Sequence, residues 1–332
     1  MKINKTLLSD SIQTIRTNGK YSGNLDNWVN TIEKRTYNKP HTYLNEIVTH
    51  LASLDDDVDF FSIFPKWTDE NNAYWGTSIA LTTYLLKEVP LELPNKKVHI
   101  EGNYTIDQPT LIEGDLIIDG DLIINYMEGH LVGLVVLGDL TIKGNYPLED
   151  GLMVVFGNVT IEGALDEGLG WSLTVIGGYL KVHKYLASSG ELFVGKKVTS
   201  PFMYLYYNQG FCVLKEGFSA LYFHESDHGS SLCFGSYEAQ FILIDEMRGV
   251  EALEVYDNYK NLQKIISKDV LGVLGEADLD NYDKEQYEDL EDYLEEELEF
   301  DRFDLADDLL SAFQEGKTVF NPAILNNTPF IF

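Results

Sequence analysis

The sequence predicts a mainly β chain, a single-stranded parallel β-helix (a solenoid) with α-helical flanks. Three observations predict it. The six-residue element Gly-Asp-Leu-Ile-Ile-Asp at 114–119 is followed at once by Gly-Asp-Leu-Ile-Ile at 120–124. Related copies recur about every twenty residues, the period of one solenoid coil. Within each copy apolar residues alternate with polar ones, the period of a strand that buries one face.

The repeated element reads Gly-[Asp/Asn]-[Leu/Val]-x-Ile. It opens at Gly114, Gly120, Gly138 and Gly157, with a looser copy, GYLKV, at Gly178 and a partial one, GNYTI, at Gly102. Weaker echoes follow Gly195, Gly217 and Gly235. The alternating pairs are Leu116/Ile118, Leu122/Ile124, Leu140/Ile142 and Val159/Ile161. Most copies follow a second short apolar run, such as LVVLG before Gly138 or MVVFG before Gly157. The segments are short, β-branched and glycine-punctuated, which excludes a helical period. Each glycine is expected to mark a corner that a Cβ would resist. The Asp or Asn after it is expected to bond its own backbone and hold that corner. About eight coils are expected over residues 96–247, each rising roughly 4.8 Å. The strict six-residue spacing occurs once, which favours a right-handed solenoid over a left-handed hexapeptide prism.

A stack of coils exposes strand edges at both ends, so caps are required. Residues 1–95 carry three amphipathic helical patterns, in NLDNWVNTIEKR, HTYLNEIVTHLASL and AYWGTSIALTTYLLKEV, and are expected to form a helical cap or domain on the first coil. Residues 248–332 form the second flank. In it, VEALEVYDNYKNLQKIIS reads as a last strand and turn or as a short helix. Residues 276–315 then hold 18 acidic residues against Lys284 and Arg302. Tyr287, Leu290, Leu294 and Leu298 form one apolar stripe there, and Leu305, Leu309, Leu310 and Phe313 a second, ending at Gly316. Two acidic amphipathic helices docked on the solenoid are expected.

Composition narrows the function. The formal net charge is -30 and the pI about 4.4. Phosphate repels such a field, which argues against nucleic acid and anionic membranes and favours a basic protein partner. Simple solubility is the bland alternative. No apolar run spans a membrane, and the N-terminus has no secretory pattern, so a cytoplasmic location is expected. Cys212 and Cys233 are the only cysteines, too few for a disulfide scaffold.

Catalytic motifs are missing: there is no G-x-S-x-G, P-loop, H-E-x-x-H or C-x-x-C, and no calcium β-roll repeat. The chain therefore reads as non-catalytic and without cofactor. Two clusters remain. His224, His228 and Cys233, with Asp227 and with Cys212 one coil earlier, are the residue types of a zinc site, but their strand-and-loop setting favours ordinary loop residues. Tyr204, Tyr206, Tyr207 and Phe211 form an aromatic cluster that either anchors a partner or stacks inside the solenoid or under the C-terminal helices. Partner-binding candidates are these four residues with Glu295, Glu296, Glu297, Glu299 and Asp301 of the acidic segment. A monomer or small homo-oligomer is expected.

The copies GDLIIDGDLII and LGDLTIKG…VFGNVTIEG resemble the coils of bacterial β-solenoid proteins, bactofilins among them. That resemblance implies a self-assembling scaffold, although the helical flanks depart from the bactofilin pattern. GKKVTSPFMYLYYNQGFCVLKEGFSALYFHESDHG is similar to solenoid proteins of bacterial polymorphic-toxin systems, which implies an immunity role against a basic toxin. Neither resemblance transfers catalytic residues. A carbohydrate-active or acyl-transferring β-helix enzyme is a further alternative.

Overall fold

The computed structural model describes residues 40–54, 60–64, 75–88, 96–125, 132–148, 151–168, 172–188, 190–205, 211–226, 231–233, 236–244, 255–283, 286, 290–298 and 304–326. Its strands run around three faces. The first holds β1 (Lys96–Ile100), β4 (Gly114–Ile118) and β7 (Leu140–Ile142). It continues through the leading halves of β10 (Val159–Glu167), β12 (Leu180–Ala187), β14 (Val198–Leu205), β16 (Gly217–Glu225) and β18 (Ser236–Ile244). The second face begins with β2 (Tyr104–Ile106), β5 (Leu122–Ile124) and β8 (Tyr146–Leu148). It passes into the trailing half of β10, where Leu165 pairs with Tyr146 beyond a break in register between Ile161 and Ala164. The third face stacks β3 (Thr110–Ile112), β6 (Gly133–Val136), β9 (Gly151–Val155), β11 (Ser172–Ile176), β13 (Glu191–Val194), β15 (Phe211–Leu214) and β17 (Ser231–Cys233). All these pairings are parallel. The chain is a parallel β-solenoid of about six turns.

Alternation works as the sequence predicts. Leu116, Leu140, Val159, Leu180 and Val198 stack in one inward column, and Ile118, Ile142, Ile161 and Val182 in the next, all buried. Each such side chain contributes about 1.5–3 kcal/mol on burial.

The corners differ from expectation. The glycines fall into two columns, not one series. Gly114, Gly138, Gly157 and Gly178 form one, each N–H donating to the carbonyl of the glycine before it at 2.7–3.0 Å. Gly102, Gly120, Gly144 and Gly163 form the other, at 2.9–3.0 Å. The Asp or Asn that follows the first three glycines of each column accepts a hydrogen bond from the next coil, not from its own backbone. Asp115 Oδ1 accepts from Asp139 N–H (3.0 Å), Asp139 Oδ1 from Asn158 N–H (2.7 Å) and Asn158 Oδ1 from Tyr179 N–H (3.2 Å). In the other column Asn103 Oδ1 serves Asp121 (2.9 Å), Asp121 Oδ1 serves Asn145 (2.6 Å) and Asn145 Oδ1 serves Ala164 (2.9 Å). A Cβ on Gly120, Gly138, Gly144, Gly157, Gly163 or Gly178 would collide with the very oxygen that makes this bond. Glycine is required at these corners for space. The doubled GDLII is thus one corner design used at two corners of one coil. Gly195 departs from both columns and makes room for the ring of Tyr84.

The described N-terminal helices run along the side of the solenoid, from the first coil onward, instead of capping that coil alone. Helix α1 (Pro40–Ser53) and helix α2 (Trp75–Glu88) share a core with the outer side of the third face, from Leu111 through Val135, Val154 and Val175 to Val213. Tyr84 Oη donates to Ile176 O (2.9 Å) and Lys87 Nζ to Gly177 O (2.7 Å). The first N-terminal pattern, NLDNWVNTIEKR, lies outside the described residues.

At the other end the described part of VEALEVYDNYKNLQKIIS forms helix α3 (Val255–Ile265), the helical alternative; its first five residues lie outside the described residues. Its Asn258 acts as a substitute strand. Asn258 Oδ1 accepts from Ile242 N–H (2.8 Å) and Nδ2 donates to Ile242 O (2.5 Å), engaging the edge of β18 with both halves of one amide. An unpaired edge strand invites association with another chain. Asn258→Ala is therefore expected to cost about 2 kcal/mol in denaturant unfolding and to promote concentration-dependent self-association in sedimentation. A variant as stable and as dispersed as the parent would contradict this role.

Candidate functional site

The acidic segment folds as short amphipathic helices. Helix α4 (Gly272–Glu276) follows α3, and helix α5 (Leu290–Leu298) and helix α6 (Leu305–Gln314) carry the two apolar stripes. Leu290, Leu294, Leu305 and Leu309 are buried in one core with Tyr259, Leu262 and Ile265 of α3. Helix α6 ends as its sequence demands. Gly316 takes φ 74°, its N–H donates to Phe313 O (3.1 Å), and Lys317 N–H reaches back to Ala312 O (2.9 Å). That is the paired hydrogen-bond pattern of a glycine-stopped helix. Helix α7 (Pro322–Leu325) closes the layer, with Asn321 Oδ1 capping it through Ala323 N–H.

This layer lies against the second face at its C-terminal end. Phe202, Tyr222 and Phe241, in register on β14, β16 and β18, stack as a ladder with centroids 5.0 and 5.1 Å apart. Phe313 meets Phe202 edge-on at 5.4 Å, and Tyr259 meets Phe241 edge-on at 5.7 Å. Tyr204 stacks on His224 at 5.0 Å and is 7 % exposed within the same core. Tyr204 is thus a buried contact of this chain with itself, not an open partner anchor, because the apolar stripes of the C-terminal helices cover that side of β14. Its neighbours Met203 and Leu205 point into the solenoid. Tyr206 and Tyr207 lie outside the described residues, and Phe211 opens β15.

The zinc types are not brought together. His224 is buried on the outer side of the second face, with Tyr222 Oη 3.3 Å from its Nδ1. Cys212 is a buried thiol inside the solenoid, 3.9 Å from Tyr185 Oη, so the wall of the second face separates the two. Cys233 falls in register with Leu214, and His228 lies outside the described residues. Among the described residues no three His, Cys, Asp or Glu gather to hold a metal.

What the helices leave outward is acid. Glu296, Asp304, Asp307, Asp308 and Glu315 are exposed, on helices whose opposite sides are fixed to the solenoid. Glu295 and Glu297 belong to α5, while Glu299 and Asp301 lie outside the described residues. Fixing the backbone in this way gives a mainly negative static field, tempered at Glu315 by its ion pair with Lys317 (2.6 Å), and such a field speeds encounter with a complementary partner.

A second polar site was not foreseen. Glu167 ends β10 on the inner side of the second face and is 0 % exposed. Tyr185 Oη donates to its Oε2 (3.0 Å). Burial pushes the Glu167 carboxyl up to about 7, Tyr185 and Thr174 oppose the shift, and the charges of Asp166 and Glu191 add to it. The Thr174 hydroxyl lies close to this carboxyl. Glu191, on the outer side of the third face, has its carboxyl against Gly76 of α2, and burial raises it to about 7 as well. The signal for Glu167 was present: in the run Leu165-Asp166-Glu167 the alternation that buries Leu165 also buries Glu167.

The chain matches no known family model, no curated protein and no solved structure. The solenoid and its sites therefore stand on their own geometry. No helix among the described residues is long and apolar enough to cross a membrane.

Proposed function

We propose that this protein is a non-catalytic, acidic protein-binding solenoid that masks a basic partner, in the manner of an immunity or inhibitor protein acting on a basic bacterial toxin. The observation that carries the reading is the fixed acidic surface: Glu296, Asp304, Asp307, Asp308 and Glu315 face outward from helices pinned to the solenoid by Leu290, Leu294, Leu305 and Leu309. In this reading the chain is a cytoplasmic, right-handed solenoid of about eight coils, counting those at its ends. The C-terminal helices serve both as cap and as binding surface.

A bactofilin-like scaffold is the rival, and the engagement of the β18 edge by Asn258 weighs against it, since end-to-end polymerisation needs open coil ends. The test is capture from a bacterial lysate on the immobilised full chain at low and high salt, read by mass spectrometry. A basic protein retained at low salt and released at high salt is expected. Recovery of the chain alone would overturn the proposal.

A further inference from the structure

The interior around Glu167 holds more oxygen than a solenoid core should. Tyr146, Glu167 and Thr174 are 0 % exposed, Ser188 1 % and Ser172 4 %. Tyr146 Oη, Glu167 Oε1, Thr174 Oγ1, Ser188 Oγ and Ser172 Oγ make no hydrogen bond among the described residues. Buried polar atoms in native proteins almost always have partners, so such a group of orphans points to a bound species.

Their residues adjoin Glu167, and the side chains of Tyr146, Thr174 and Ser172 lie beside it. Tyr146 is in register with Leu165, two residues from Glu167, on the adjoining strand. Ser188 N–H donates to Glu167 O (3.0 Å). Ser172 and Glu167 meet at Gly190. A Cβ there would collide with Ser172 Oγ and stand 3.3 Å from Glu167 Cδ. Gly190 does not have a positive φ, so its lack of a side chain serves space and not backbone shape. The notch at Gly190 is thus occupied by the Ser172 hydroxyl, packed beside the Glu167 side chain, both buried.

Electrostatics narrows what fits. The acidic groups acting on Glu167 are Asp166 and Glu191; Lys184 interacts with Asp166, while the Glu167 carboxyl itself is approached by hydroxyls. Water would satisfy hydrogen bonds but would leave the charge unbalanced. A cation does both. The donors are all oxygens, four of them neutral hydroxyls and one group a carboxylate. That set suits a hard, singly charged ion better than a divalent ion, which takes more carboxylates, or a transition metal, which takes nitrogen or sulfur.

We propose that the Glu167 cluster is a binding site for an alkali-metal cation, held by the Glu167 carboxylate and the hydroxyls of Tyr146, Ser172, Thr174 and Ser188. The site is independent of the acidic partner surface, and neither proposal rests on the other.

The test is thermal unfolding of the full chain at about pH 8, with sodium or potassium chloride replacing choline chloride at constant ionic strength. A saturable rise of roughly a few degrees in at least one alkali salt is expected. Glu167→Gln keeps an acceptor for Tyr185 but removes the charge, and its midpoint should be indifferent to the cation. Gly190→Ala, whose Cβ would displace the Ser172 hydroxyl from its place beside Glu167, should lose the rise too. In crystals soaked in rubidium chloride an anomalous peak is expected beside Glu167 and Ser172. Equal midpoints in choline and alkali chlorides, an undiminished rise in Glu167→Gln, or a rubidium-soaked crystal with water only at this site would each overturn the proposal.

Discussion

Gly157→Ala is expected to destabilise the fold by more than about 3 kcal/mol, far beyond the loss of roughly 1 kcal/mol or less for an ordinary surface change. The added Cβ would meet Asp139 Oδ1, and it would stand 2.5 Å from Gly138 O and 2.7 Å from Gly138 C. The last two are backbone atoms of the coil before, so no rotamer change relieves the clash. The stack must open there, breaking the Gly157 N–H bond to Gly138 O (3.0 Å) and the Asn158 N–H bond to Asp139 Oδ1 (2.7 Å). Two companion variants separate space from hydrogen bonding. Asp139→Ala removes the acceptor without crowding and should cost about 1–2 kcal/mol. Asp139→Asn keeps the acceptor and should be near neutral. Urea unfolding of the three variants checks the order. A Gly157→Ala protein as stable as the parent would show that the corners are not packed this way.

The second large effect is on pH dependence. Glu167 is fully buried and ionises near 7 in the fold against 4.5 ordinarily. Tyr146, Tyr185 and Thr174 face its carboxyl, with Asp166 and Glu191 as nearby acids. Between those two pH values the unfolded chain has released the proton and the folded chain still holds it. Stability from this group is therefore fully present below about pH 4.5, falls as pH rises toward 7, and levels off above. The total is on the order of 3 kcal/mol. In choline chloride, unfolding free energies measured from about pH 5 to pH 8 should decline, and Glu167→Gln should remove roughly half of the decline, the rest belonging to Glu191, and be the more stable protein at the alkaline end. An unchanged slope in Glu167→Gln would mean that Glu167 is not held neutral by burial.

Much of the solenoid was legible because period-two alternation and a recurring glycine are local signals. Leu116/Ile118 and Val159/Ile161 had to face one way, and they do. The role of the corner aspartates was not legible. Asp115 and Asp121 look like turn formers within their own segment, but their acceptors serve N–H groups 24 residues later, a relation only stacking creates. The two glycine columns were missed for the same reason, since a linear reading cannot tell which corner a glycine occupies. Leu290, Leu294, Leu305 and Leu309 announced their helices, and Gly316 its stop, but nothing local said that these helices would cover Phe202 and Tyr204. The aromatic cluster offered two fates, and tertiary packing decided for burial at Tyr204. Glu167 escaped because an acidic residue at an inward position contradicts the usual pattern. Such contradictions between local pattern and burial mark sites to examine for function.

The most direct test of the acidic surface is a charge reversal of Asp304, Asp307 and Asp308 to Lys, with binding of the captured basic partner measured by calorimetry beside the parent protein. All three side chains are exposed, so the fold should survive, as a circular dichroism melt would verify. Loss of affinity by roughly tenfold or more, with a weaker dependence on salt, is the predicted result. A charge-reversed protein that melts like the parent and binds the same partner with the same affinity would contradict the acidic helices as the recognition surface.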